Sequence, residues 1–117
     1  MSFRDNTRKL CGNTYWIMTG CGKLYITINK DSNKNIIEVF SNMGKAGGCN
    51  QCFSEAKAKL ISILLQSDVD VKHIIKQLVG IQCSRISEDP VYGKVLSCSD
   101  AVAKVLKGEL DNGNKYK

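Results

Sequence analysis

Leu24, Ile26 and Ile28 alternate with Tyr25, Thr27 and Asn29, a period of two that gives a strand one buried face and one more polar face. The run before it, Thr14 to Met18, is short and rich in aromatic and branched residues. Between the two lies Thr19-Gly20-Cys21-Gly22-Lys23, whose glycines suit a tight connection, so the pair predicts a β-hairpin. A polar turn, Lys30 to Asn35, then leads into Ile36 to Phe40. The three runs together predict an antiparallel meander.

Beyond the glycine-rich stretch Gly44 to Asn50 the period changes to that of a helix. Cys49, Cys52, Phe53, Ala56, Leu60, Ile63 and Leu64 fall on one face while Glu55, Lys57 and Lys59 fall off it, which predicts a helix lying with that stripe on the sheet. Ser67-Asp68-Val69-Asp70 has the form of a capping box, and Val71, Ile74, Ile75 and Leu78 make a second apolar stripe that Gly80 ends. Residues 81–96 hold the only proline, Pro90, and read as an irregular crossing with a short strand over 91–96. Ser97-Cys98-Ser99-Asp100 is a second capping box, opening a helix with Cys98, Ala101, Val102, Val105 and Leu106 on one face and Gly108 as its stop. Strands followed by helices predict an α+β fold, a three-stranded antiparallel meander with the helices packed on one face. Residues 1–13 read as an N-terminal arm or edge segment, 14–110 as a single domain and 111–117 as a polar tail.

At 117 residues the chain can bury about two thirds of its unfolded surface without obligatory disulfides or metal. The start of the sequence lacks the basic then apolar pattern of a secretory signal, and no apolar run approaches a membrane span, so the expectation is a soluble, cytoplasmic protein. Six cysteines in a reducing compartment then point to free thiols, packing, metal ligation or redox work rather than structural disulfides. The excess of 17 Lys plus Arg over 11 Asp plus Glu favours an anionic partner. Nucleic acid is disfavoured, because neither an aromatic stacking platform nor a helical reading module is legible.

The stretch Gly44-Lys45-Ala46-Gly47-Gly48-Cys49-Asn50 carries the strongest chemical signal. It offers flexible backbone amides and a lysine at a helix start, where unpaired N–H groups and the helix dipole favour an anion. The lysine precedes the paired glycines and no Gly-Lys-Ser or Gly-Lys-Thr follows, so this is no Walker A motif and hydrolysis of a nucleoside triphosphate has no support. No catalytic triad order, carboxylate pair or dinucleotide fingerprint is present, and the lone His73 borders an apolar stripe. A non-catalytic protein is expected. Cys49-Asn50-Gln51-Cys52 places two thiols where a helix start lowers a thiol pKa, although both also lie on the apolar stripe. Cys21, Cys49, Cys83 and Cys98 sit in separate loops or helix starts, and four thiolates are what a closed zinc site needs.

Thr19-Gly20-Cys21-Gly22-Lys23-Leu24-Tyr25-Ile26-Thr27-Ile28-Asn29, Glu38-Val39-Phe40 with Gly44-Lys45-Ala46-Gly47-Gly48-Cys49, and Ile74 through Gly80-Ile81-Gln82-Cys83 resemble, in order, the TSCPD domain. That domain usually lies at the C-terminal end of vitamin B12-dependent (class II) ribonucleotide reductases and sometimes stands alone. The namesake motif is altered: Leu96-Ser97-Cys98-Ser99-Asp100 stands where the family has Thr-Ser-Cys-Pro-Asp, and Ser84 replaces a proline that often follows the cysteine matching Cys83. The resemblance implies four family-like cysteines but no reductase active site, since the radical chemistry belongs to a barrel that this sequence does not contain.

The leading expectation from the residues is a small binding protein that holds a phosphate-bearing, nucleotide-like ligand. Gly20, Gly22, Lys23, Gly44, Lys45, Gly47, Gly48 and Asn50 form the candidate ligand site, and a phage-type protein sequestering a nucleotide-derived immune signal would fit. The alternative is an accessory module of ribonucleotide reduction, with zinc as candidate cofactor on Cys21, Cys49, Cys83 and Cys98, or with thiol exchange toward a reductase partner. A homo-oligomer is compatible with either.

Overall fold

The computed structural model describes residues 10–43 and 48–115, with side chains over 10–43 and 51–111. Three strands, β1 (Cys11–Thr19), β2 (Gly22–Lys30) and β3 (Ile36–Met43), are followed by α1 (Gly48–Gln66) and α2 (Val71–Leu78). A small hairpin of β4 (Ser87–Asp89) and β5 (Gly93–Val95) precedes α3 (Cys98–Lys115). The first three strands form an antiparallel sheet in the order β1-β2-β3, and the helices lie on one face of it, as the α+β reading expects.

Register follows from the alternation. Ile17 pairs with Leu24, which pairs with Met43, and Ile28 pairs with Val39, so one face gathers Ile17, Leu24, Ile26, Ile28 and Val39. All five are fully or almost fully buried, against Ala101, Val102, Val105 and Leu106 of α3 and Ala58, Ile61 and Leu65 of α1. Removing that much branched aliphatic surface from water is the main stabilising term, at about 25 cal/mol per Å² of apolar area. The other face carries Trp16, Tyr25 and Phe40, all exposed.

Each strand is longer than its apolar run predicts, because pairing extends through polar residues once the register is set. Cys11 to Asn13 thus begin β1, an edge strand. The crossing over residues 81–96 contains two short strands rather than one, with Pro90 in the turn between them. Helix α3 continues through Gly108, since an internal glycine costs a helix only about 1 kcal/mol and its flank packs beside Tyr92. The first capping box is corrected in detail. Asp70 itself is the N-cap of α2, its carboxylate accepting the Lys72 N–H at 2.9 Å, while the Ser67 hydroxyl bonds back to the Ile63 carbonyl.

The largest correction concerns α1. The stripe predicted to meet the sheet turns outward: Cys52, Phe53, Ala56, Leu60, Ile63 and Leu64 are all exposed, and Ser54, Ala58, Ile61 and Leu65 are buried instead. The cause is β3, whose outer edge would otherwise leave its backbone unpaired. The Val39 N–H donates to Ser62 Oγ at 2.9 Å, and the same hydroxyl donates to the Val39 carbonyl at 3.0 Å. Gln66 donates to the Ile37 carbonyl, the Met43 N–H donates to Gln51, and the Ser41 hydroxyl donates to the Ser54 carbonyl. Small and polar positions of α1 face the strand because they satisfy this edge. At the opposite edge the Met18 N–H donates to Asp89 and the Ser87 hydroxyl donates to the Met18 carbonyl.

Candidate functional site

Leu24 is paired with both Ile17 and Met43, so the β1–β2 turn and the link from β3 to α1 leave the sheet at the same end. Gly44, Lys45 and Gly47 lie outside the described residues. Gly48, Cys49 and Asn50 are described only as the opening turn of α1. The turn that carries Gly20 and Gly22 and the end of β3 at Met43 therefore lie at one end of the sheet.

Within the turn, Thr19 organises the backbone. Its hydroxyl donates to the Gly22 carbonyl at 2.7 Å and accepts the Cys21 N–H at 3.1 Å. Gly20 admits the chain beyond Cys83, since a Cβ there would stand 2.2 Å from the Arg85 carbonyl oxygen, and Gly22 has a φ of +124°. Both glycines thus have a conformational cause of their own. Lys23 leaves the turn on the open sheet face, its ammonium 4.3 Å from the centre of the Trp16 ring.

Three of the four candidate metal cysteines, Cys21, Cys83 and Cys98, lie near enough at this end for the first two to act on the third. Cys98, at the start of α3, places its sulfur 3.9 Å from the Thr19 hydroxyl, beneath the turn that carries Cys21. Cys83 is held by its own N–H, which donates to the Leu96 carbonyl two residues before Cys98. Burial pushes the Cys98 thiol up, Cys21 and Cys83 push it further, and the Thr19 hydroxyl and the Lys57 ammonium pull it back without cancelling the rise. Lys57 is itself held below its ordinary value by burial on α1. The Cys49 thiol falls outside the described side chains, and Cys52 and Cys11 are exposed. Among the described residues, no group of three or more His, Cys, Asp or Glu is arranged to hold a metal ion. A closed site would need Cys49 as well. His73 is exposed on α2.

Asp100 anchors this arrangement and was not among the residues singled out for chemistry. It is wholly buried and accepts the Gly80 N–H at 2.9 Å, the Leu96 N–H at 3.0 Å and the Lys104 ammonium at 2.9 Å. Burial alone would raise its pKa, but these bonds outweigh it and hold the carboxyl below the usual range. Asp100 therefore ties the end of α2, the strand leading to α3 and the first turn of α3 into one unit, and with them Cys83 and Cys98. The signal was in the capping box: the Ser97 hydroxyl accepts the Asp100 N–H at 3.0 Å, as that motif requires.

The sheet also builds what its sequence conceals. Trp16 stands opposite Tyr25, and Phe40 opposite Thr27 on the same open face, so three aromatic rings and Lys23 share one surface.

The TSCPD domain model matches residues 3–110, nearly the whole chain. The chain belongs to the TSCPD domain family. No curated protein and no solved structure matches it. The TSCPD domain is associated with ribonucleotide reductases, and the end of the sheet just described holds the turn, the crossing and the helix start from which Cys21, Cys83 and Cys98 come. No helix among the described residues is long and apolar enough to cross a membrane.

Proposed function

We propose that this TSCPD domain is a non-catalytic accessory module of ribonucleotide reduction whose working site is its thiol-bearing end. The observation that carries the reading is that Cys21, in the turn held by Thr19, and Cys83, in the crossing, both lie close enough to Cys98 to raise its thiol, from three separate segments. Thiolates are soft donors suited to zinc, and Cys21, Cys49, Cys83 and Cys98 would be the residues that hold it. Bound zinc would supply a cross-link between the hairpin turn, α1, the crossing and α3. The raised Cys98 thiol must lose its proton to ligate, so metal affinity falls as pH is lowered.

Elemental analysis with a thiol titration tests this. One zinc per chain, lost in Cys83→Ser and in Cys98→Ser, is the expected result. Metal-free protein overturns the zinc assignment, and a reducible Cys49 and Cys52 pair in that protein would point to thiol exchange instead.

A second reading, a nucleotide-like ligand, is favoured by one observation. Lys23 lies over Trp16 beside Tyr25 on an open face, at the sheet end from which the 44–47 link departs. A base can stack on such rings while lysines meet its phosphates. Titration calorimetry against nucleotides and cyclic nucleotides, with Trp16→Ala and Lys23→Glu as controls, rejects this reading if nothing binds more tightly than millimolar.

A further inference from the structure

The side of the main sheet turned away from the helices carries three rings, Trp16, Tyr25 and Phe40, which are 48, 37 and 51% exposed. Each comes from a different strand. Trp16 is paired with Tyr25, and Phe40 with Thr27, two residues further along β2, so the rings cross the sheet on a diagonal. At about 4.8 Å between strands and about 3.4 Å per residue, the Cα atoms of Tyr25 and Phe40 stand about 8 Å apart. Beside the rings lie Thr14 and Thr27, whose hydroxyls are bonded at 2.7 Å, and the exposed Asn42 opposite Tyr25. Lys23 shares the face, its ammonium over Trp16, and the exposed Arg85 lies against the same turn, where a Cβ on Gly20 would stand 2.4 Å from the Arg85 Cβ. Among the described residues neither cation is in an ion pair, and the one carboxylate on this face, Glu38, lies beyond Phe40 and accepts from Asn29 at 3.1 Å.

We propose that this face binds single-stranded nucleic acid, with bases stacked on Trp16, Tyr25 and Phe40 and phosphates drawn to Lys23 and Arg85. A stacking platform is what the sequence conceals, because the rings lie far apart in the chain and only strand register aligns them. Every base has a flat face that an aromatic ring can cover, and a single strand leaves that face open where a duplex hides it. The charge agrees: two unpaired cations border the rings on a chain whose 17 Lys plus Arg exceed 11 Asp plus Glu, and a polyanion gains from both. A neutral sugar would stack on the rings but give the cations nothing to pair with, and an acidic peptide would pair with the cations but leave the rings in water. The proposal rests on the same face as the nucleotide reading and extends it from one base to a strand that uses several rings at once.

Trp16 is the only tryptophan in the chain, so its fluorescence reports on the platform directly. Titration of the intact protein with oligothymidylate or oligouridylate of about 12 residues should quench it with a micromolar dissociation constant at about 50 mM salt. A tighter complex with either polymer supports the proposal and names the sugar preferred. Tyr25→Ala and Phe40→Ala should each weaken binding about fivefold or more, the loss of one stacked base. Lys23→Gln should reduce the slope of log affinity on log salt by about 0.7, the loss of one phosphate contact. Circular dichroism of the variants should match the wild type, because these side chains are exposed; if Phe40→Ala loses its signal, Tyr25→Ala decides. Thymidine monophosphate separates the two readings of the face. If it binds as tightly as the oligomer, the single-nucleotide reading stands and this proposal falls; if only the oligomer binds, the reverse holds. Absence of quenching overturns the proposal, as does a duplex of the same length bound equally well, or an affinity that both ring substitutions leave unchanged.

Discussion

At the scale of single residues, Asp100 shows how a buried charge is tolerated. A carboxylate without partners in this position would be expelled or neutralised, whereas two backbone N–H groups and Lys104 replace the water it loses. Breaking such an arrangement costs more than its formation contributes, because the Gly80 and Leu96 N–H groups and the Lys104 ammonium lose the buried acceptor they share. Asp100→Asn is therefore expected to lower the unfolding free energy by about 2 to 3 kcal/mol in urea titrations at neutral pH. A loss under roughly half a kcal/mol would place the residue among ordinary surface positions and sink the argument. The capping box made Asp100 legible as a helix-start residue. Its bond to Gly80, twenty residues earlier in the chain, was not legible, because no local pattern encodes which distant amide a carboxylate meets.

At the scale of elements, α1 separates what periodicity reports from what packing chooses. Its sequence contains two candidate faces, one more apolar and one of small and polar residues, and periodicity selects the first. The edge of β3 selects the second, since an unpaired backbone N–H or carbonyl against a helix costs about 1 to 3 kcal/mol. Ser62→Ala should remove both bonds to Val39 and lower stability by about 1 to 3 kcal/mol, measured by urea unfolding with secondary structure retained. A neutral result would mean that the helix is held by Ala58, Ile61 and Leu65 alone. The meander, by contrast, was legible in type and order from alternation and glycine-bearing turns, because a half-buried antiparallel strand writes its burial directly into its sequence.

At the scale of the whole molecule, Asp89 and Asp100 join segments far apart in the chain, and both are held below the usual carboxylate range. For Asp89 burial opposes this, and hydrogen bonds from Met18, Tyr92 and Val91 outweigh it. A carboxyl whose folded pKa is depressed contributes stability above its unfolded value near 4 and loses it as pH falls toward the folded value. Stability should therefore hold from pH 7 to about 5 and decline below about 4, with a shallower decline in Asp89→Asn. Tyr15 acts at the other limit. Burial and its hydrogen bond to Glu109 raise its phenol to about 12, so stability should fall from about pH 10, where an unfolded tyrosine ionises, to about 12. Denaturant midpoints across this range check both arms, and a flat acid limb would contradict the first. The chain by itself determined the three-stranded meander, the helices that follow it, the α+β class and the family, because these depend on local periodicity, turn chemistry and motif order. Only the tertiary structure decided which face of α1 meets the sheet, that Cys21, Cys83 and Cys98 share one end, and that Trp16, Tyr25 and Phe40 share one surface. Those outcomes depend on register and on hydrogen bonds between distant segments, which exist only once the chain has closed on itself.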